Sequence, residues 1–248
     1  MTGTLINVAA ILLGGALGLI FGARLPDRVR QTVLAGMGLF TAILGIQMTF
    51  DTQQPLVIAG SLLIGSLLGE WWQIEDRLRD LGAWLEERLT RRKTDGAAAV
   101  ENPESNHGSR FVRGFLTASL VFAIGPIAIL GSIQDGLTGD YSLLSIKSIL
   151  DAFGALAFAS SLGVGVLFSS LVILVYQGGI SLLANQAQAL LSTAMTNEMT
   201  ATGGVLLLGL AISNLLEIKR IRVGNFLPAL LVAPVIVAIL AALGIPLK

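Results

Sequence analysis

Long, uncharged apolar runs constrain this chain before anything else does. Leu5 to Ala23 carries no charged residue, and comparable stretches run from Thr32 to Phe50, from Leu56 to Gly69 and from Phe115 to Ile133. Wound as helices, runs of about 17–25 apolar residues match the hydrocarbon thickness of a bilayer. Hydrophobic residues make up 54% of the chain and charged residues 13%. Soluble domains average about 45–50% apolar and about 25% charged, so a soluble core could not hide this much apolar surface. The runs do not alternate polar with apolar positions, which argues against a membrane β-barrel. The expected fold class is therefore all-α, a polytopic membrane helix bundle of seven or eight spans with a cytoplasmic amphipathic helix.

Charge placement orients these spans. Residues 1–23 hold no Lys or Arg, whereas a cleaved signal peptide carries positive charge ahead of its apolar run. Met1 to Ala23 thus reads as a retained span. Arg24, Arg28 and Arg30 follow it, and the positive-inside rule then puts the N-terminus outside and this loop in the cytoplasm. The formal net charge of zero conceals a clustering of basic residues in loops expected on that same side. Orientation explains the clustering, so no nucleic-acid partner is expected. The chain has no cysteine and a single histidine, His107, in a polar stretch. A lone imidazole lacks the clustered ligands of a metal site, and neither metal nor cofactor is expected.

Three units follow: spans one to three over 1–69, a cytoplasmic amphipathic helix and linker over 70–110, and spans four to seven or eight over 111–248. In the middle unit Trp71, Ile74, Leu78, Leu81, Leu85 and Leu89 recur at spacings of three and four against Glu75, Asp76, Arg77, Arg79, Glu86 and Glu87. That is a narrow heptad stripe. Helices that lie on lipid usually have a basic polar face, and this one is net acidic. The stripe reads as packing on another helix, its own chain's or that of a homo-oligomeric or other partner, through Trp71, Ile74, Leu78, Leu81 and Leu85. Arg91 to Gly108 has the composition of a solvated linker. Ser142 to Gln177 exceeds one ordinary span and divides into about Ser142–Ala159 and Ser161–Tyr176. Alternatively it stays one helix and Ile180–Met199 becomes a span. Both arrangements give the same parity. Gly14-x-x-x-Gly18 ahead of Asp27-Arg-Val-Arg30 echoes Gly65-x-x-x-Gly69 ahead of Asp76-Arg-Leu-Arg79, through duplication or through shared demands of close helix packing.

Asp135, Asp140, Lys147 and Asp151 interrupt this apolar background. Lys147 and Asp151 stand four apart on a helix, share a face and can pair, with Ser145 and Ser148 nearby. Asp135 and Asp140 fall in a Gly-containing loop, where carboxylates and backbone carbonyls suit a hard cation. A solvated loop beside a self-neutralised ion pair competes with a substrate or ion site. Catalysis is the weaker alternative. Leu137-Thr138-Gly139-Asp140 lacks the first glycine of the Gly-x-Gly-Asp motif of intramembrane aspartyl proteases. No histidine lies in a span, and no phosphate-binding Gly-x-x-x-x-Gly-Lys-Ser/Thr loop occurs. The expectation is no enzyme, but a secondary transporter or channel for a small solute or cation, with Asp135, Asp140, Lys147 and Asp151 as its binding residues. The alternative is a membrane scaffold or regulator acting through the heptad helix.

The stretch from Gly125-Pro-Ile-Ala-Ile-Leu-Gly-Ser-Ile-Gln-Asp-Gly-Leu-Thr-Gly-Asp-Tyr141 through Lys147-Ser-Ile-Leu-Asp151 resembles a signature of the bacterial domain-of-unknown-function family 554. Gly3-Thr-Leu-Ile-Asn7-Val and Lys219-Arg-Ile-Arg-Val-Gly-Asn225-Phe-Leu-Pro228-Ala-Leu resemble it too. The resemblance implies a polytopic protein of the bacterial inner membrane with transport as its supposed role. It carries no catalytic residues.

Overall fold

The computed structural model describes residues 1–23, 25–94, 106–124, 126–184 and 191–244. Among them no strand occurs. The helices are α1 (Thr2–Gly22), α2 (Asp27–Thr49), α3 (Pro55–Trp72), α4 (Ile74–Thr94), α5 (Asn106–Ala123), α6 (Pro126–Thr138), α7 (Ser142–Leu162), α8 (Gly165–Leu182), α9 (Thr193–Leu210) and α10 (Ala229–Ala242). A π-helical turn, Ala211–Leu215, continues α9, and a short 3₁₀ turn, Val223–Phe226, precedes α10. Seven helical segments are long and apolar enough to cross a membrane, and α5 with α6 makes an eighth if that bent pair is one span.

Local chemistry sets the ends of these helices. Pro55 opens α3, where its missing N–H and preset φ suit the first helical position. The Ser192 hydroxyl accepts the Met195 N–H at the start of α9, which satisfies one orphan donor. Gly139 and Gly163, at φ 73 and 85, stop α6 and α7 in a region where a Cβ would be strained. The single span expected from Phe115 to Ile133 is instead two helices meeting at 63°. Pro126 begins the second, since proline cannot donate to the preceding turn. The second helix runs on to Thr138, so Asp135 is helical, not in a loop as expected.

The division of 142–177 into two spans holds, with α7 and α8 at its two halves. The next span begins at Thr193, ten residues before the expected Gly203, because Glu198 and Thr202, polar as they are, are both buried within the bundle. The expected linker is shorter than its composition suggests, since α4 extends to Thr94 and α5 starts at Asn106. Residues 95–105, Asn185, Gln186 and Gln188 lie outside the described residues, as do the side chains of Leu89 and His107.

The first three spans find their main partners late in the chain: α1 against α7, α2 against α9 and α3 against α10. Small residues make each contact. A Cβ on Gly14, Gly18 or Gly22 would overlap the backbone of Ala152, Leu156 or Ser160, so α1 and α7 touch backbone to backbone and run in the same direction. Gly45 meets Gly204 between α2 and α9, while Gly65 and Gly69 meet Ala229 and Asn225 between α3 and α10. In lipid, where burial of apolar surface gives no drive, such close approach is what holds helices together. Large apolar side chains such as Leu13, Ile43, Leu63, Phe153 and Val175 remain on the outside, as expected of a bundle solvated by acyl chains.

Contacts at the helix ends define the two faces of the bundle. Gly3 at the start of α1 meets Asp135 near the end of α6 and Leu144 at the start of α7. At the opposite end, Arg30, Arg110 and Arg113 donate to carbonyls of Gly22, Ser161 and Asn214 in the last turns of α1, α7 and the π turn. The bent pair therefore joins one face to the other. Helix α4 lies at the basic face and returns along α5, with Leu78 and Leu85 packed against Phe111, Phe115 and Leu116.

Candidate functional site

Asn7, Lys147, Asp151 and Gln177 come together from α1, α7 and α8, and all are buried. Asp151 lies nine residues and Lys147 five residues into α7, Asn7 lies five residues into α1, and Gln177 stands five residues before the end of α8. At about 1.5 Å per residue the cluster therefore sits roughly 7–14 Å inside the helix ends that carry Gly3 and Asp135. The Lys147 ammonium pairs with Asp151 Oδ2 one turn away on the same helix. Asn7 Nδ2 donates to Asp151 Oδ2 at 2.9 Å and to Gln177 Oε1 at 3.2 Å. Helix α1 is thus pinned, through Asn7, to the consecutive helices α7 and α8 far along the chain. Close α1–α7 packing at Gly14, Gly18 and Gly22 sets the register that aims Asn7 at Asp151.

Three buried polar atoms at this centre meet no hydrogen-bond partner among the described residues, Thr4 Oγ1, Asn7 Oδ1 and Gln177 Nε2, and Asp135 Oδ1, at the start of α1, is a fourth. Buried polar atoms are nearly always paired, so a group of orphans demands an explanation. Thr4 and Asn7 occupy one face of α1, a turn apart, and Thr4 also approaches Gly178 beside Gln177. The site therefore offers oxygens, one amide donor and an ion pair to anything that reaches it.

The two other carboxylates expected here do different things. Asp135 is buried, and its Oδ2 accepts the Gly3 N–H at 3.0 Å and lies 3.1 Å from the Met1 amine. It stabilises the positive end of the α1 dipole. Asp140 is exposed, and its Oδ1 accepts both the N–H and the hydroxyl of Ser142, at 3.0 and 2.6 Å, while Gln134 donates to Oδ2 at 2.6 Å. These hydrogen bonds from Ser142, then Gln134, hold the Asp140 carboxyl below its usual range. Each carboxylate thus serves its own helix start. Among the described residues no group of three or more His, Cys, Asp or Glu is placed to hold a metal ion. Ser148 is spent on the Leu144 carbonyl.

Asn7, Gln177 and Thr4 did not stand out from sequence as site residues. A signal existed, since each is a polar residue inside an otherwise apolar run, but nothing local says that they converge. Glu198 is a second buried carboxylate at the same end as Asp135. It accepts the Thr52 hydroxyl at 2.7 Å and the backbone N–H of Gln53 and Gln54 at 2.8 and 3.1 Å. It thereby fastens α9 to the turn before α3.

A bundle of membrane-length helices joined by small-residue contacts, with an ion pair buried inside it, defines a polytopic helical membrane protein. The chain belongs to the family described as protein of unknown function DUF554, which matches residues 2–238. It is 32% identical to the uncharacterized membrane protein YdfK of Bacillus subtilis (strain 168), over 99% of both chains. It is also 32% identical to the uncharacterized protein YqgA of Escherichia coli (strain K12), over 93% of this chain and 94% of that one. No solved structure matches.

Proposed function

We propose that this chain is a secondary carrier or channel, not an enzyme, that moves a small solute or cation across the bacterial inner membrane. The observation that carries this reading is the Asn7, Lys147, Asp151 and Gln177 cluster, buried inside the spans beside polar atoms that meet no partner among the described residues. Ionisable groups at membrane depth are expensive and cluster on substrate and ion pathways. Asp151 is the central carboxylate. Lys147 is its charge-compensating partner, and a bound cation or a polar solute would compete with its ammonium for the carboxylate. Asp135 and Asp140 lie towards the outer face, where they serve access or coupling.

The orientation rests on charge. The arginines that cap α1, α7 and the π turn gather at one face, whereas Asp135, Asp140 and Glu198 mark the other. The positive-inside rule makes the basic face and α4 cytoplasmic, with α1 starting outside. A partner helix or second copy would meet Trp71 and Leu81, which stay exposed, because Leu78 and Leu85 are already covered by α5. That coverage favours the carrier over the scaffold.

The test is thermal unfolding of the purified protein against a panel of ions and small solutes, alongside flux in proteoliposomes, for wild type and Asp151→Asn. A ligand at about 100 times its Kd adds about 2.7 kcal/mol of stability. The expected result is a shift and a flux in wild type that are both lost in the variant. A ligand whose shift and flux survive Asp151→Asn unchanged rejects this site.

A further inference from the structure

The basic face holds a cavity of about 400 Å³ between α2, α5, the end of α7 and the turn after α9, lined by Arg30, Arg110 and Arg113 together with Asp27 and Glu217. Ligand sites commonly span about 300–1,000 Å³. All three guanidinium groups are anchored from behind. Arg30 donates through Nε and Nη2 to the Gly22 carbonyl, Arg110 through Nε to Ser161, and Arg113 through Nε and Nη2 to Asn214. Capping of helix C-termini by arginine accounts for these bonds, but not for three cations turned towards one cavity.

Two observations separate a binding site from a set of caps. Among the described residues, Nη1 and Nη2 of Arg110 meet no acceptor, and the repulsion that Arg110 feels from Arg30 outweighs the attraction from Asp27. The compensating acids are also peripheral. Asp27, paired with Arg30, has a side chain 90% exposed, and Glu217, paired with Arg113, is 62% exposed, whereas Arg30 and Arg113 are 22% and 30% exposed. The acids sit on the watery rim and the cations line the wall, so the desolvated charge of the cavity is positive.

We propose that this cavity is a binding site for a phosphate group, either free phosphate or the phosphodiester headgroup of an anionic lipid, held by the Arg110 fork between Arg30 and Arg113. Guanidinium forks meet phosphate oxygens in paired, charge-assisted hydrogen bonds. The phosphate would occupy the unpaired Arg110 donors and relieve the repulsion between Arg30 and Arg110. This site is separate from the Lys147–Asp151 cluster and does not depend on the carrier reading.

Thermal unfolding of the full chain tests it with two probes: sodium phosphate against sodium chloride at equal ionic strength in detergent, and nanodiscs of phosphatidylcholine with or without phosphatidylglycerol. At least one probe should raise the Tm of wild type, phosphate marking a soluble ligand and phosphatidylglycerol alone marking a lipid. Arg110→Gln should weaken the response about tenfold or more, as loss of a charged hydrogen-bond pair does. Arg28→Gln, outside the cavity, should leave it intact, and Glu217→Gln should tighten it by removing a rim carboxylate. The proposal is overturned if neither probe shifts wild type, or if Arg110→Gln responds like wild type. Should Arg110→Gln fail to fold, Glu217→Gln decides, and an unchanged or weaker response there overturns the proposal as well.

Discussion

Asp151 accepts from both Lys147 and Asn7, so each charge is paired and both are buried, and the pair is worth more as a constraint than as a source of stability. Removing one member of a buried pair strands the other at a cost of about 3–5 kcal/mol, while replacing both with apolar side chains is often neutral. Lys147→Met should therefore destabilise strongly in urea or thermal unfolding. The double variant Lys147→Met/Asp151→Leu should recover most of that loss while losing any ligand-dependent shift. Two carboxylates outside the spans set opposite pH dependences. Burial, opposed by the Gly224 N–H and then by Arg79, pushes the Glu75 carboxyl up. Its contribution is fully present below the unfolded pKa and is lost as pH rises through the raised folded value. Asp140, held low by Ser142, contributes above the usual aspartate pKa and loses that contribution as pH falls through its lower folded value. Stability measured against pH should lose its alkaline decline at the Glu75 titration in Glu75→Gln and its acid decline at the Asp140 titration in Asp140→Asn.

Helices in this chain are joined through glycine faces, and the consequences of substitution follow which face a glycine occupies. At Gly18 a Cβ would overlap the Leu156 carbonyl, so Gly18→Val should separate α1 from α7 and displace Asn7 from Asp151. Lowered Tm together with loss of the ligand response would report both effects. Gly36 on α2 meets nothing within 4 Å and is exposed. There Gly36→Ala should raise stability by up to about 1 kcal/mol, from helix propensity alone. The two substitutions are adjacent in kind and opposite in sign because only one glycine carries a helix contact. Helix α4 shows the same selectivity along its heptad stripe. Leu78 and Leu85 turn inward onto α5, while Leu81 faces outward, and the expected stripe is cut at its start, because Trp71 lies in the last turn of α3 and Gln73, at φ 51, separates it from α4.

At the scale of the whole molecule, crossing α1 to α10 with the bent α5–α6 pair counted once places Thr2 and Ala242 at the same face. Single cysteines in this cysteine-free chain should confirm the sidedness: Asp51→Cys, in the turn between α2 and α3, and Asp80→Cys, on α4, should label from opposite sides of the membrane. Labelling of both from one side would overturn the topology. Sequence alone determined the all-α class, the seven or eight spans and the Lys147–Asp151 pair, whereas it left 142–177 open between one helix and two, and the structure chose two. The first three features depend on local quantities: the length of an apolar run, the hydrogen-bonding demands of backbone in lipid, and a four-residue spacing on one helix. The break at Pro126 has a local cause that the length of an apolar run does not register, whereas the helical setting of Asp135 and the capping work of Glu198 were not legible, because each depends on what a distant segment donates or accepts. The same holds for the site. Lys147 and Asp151 announce themselves as charges in an apolar run, but Asn7 and Gln177 become part of it only when α1 lies along α7 at glycine distance. Hydropathy is a property of one segment, whereas helix pairing in lipid is decided by the fit of two surfaces far apart in the chain. Tertiary structure alone therefore chose the partners, α1 with α7, α2 with α9 and α3 with α10, and with them the residues that meet around Asp151.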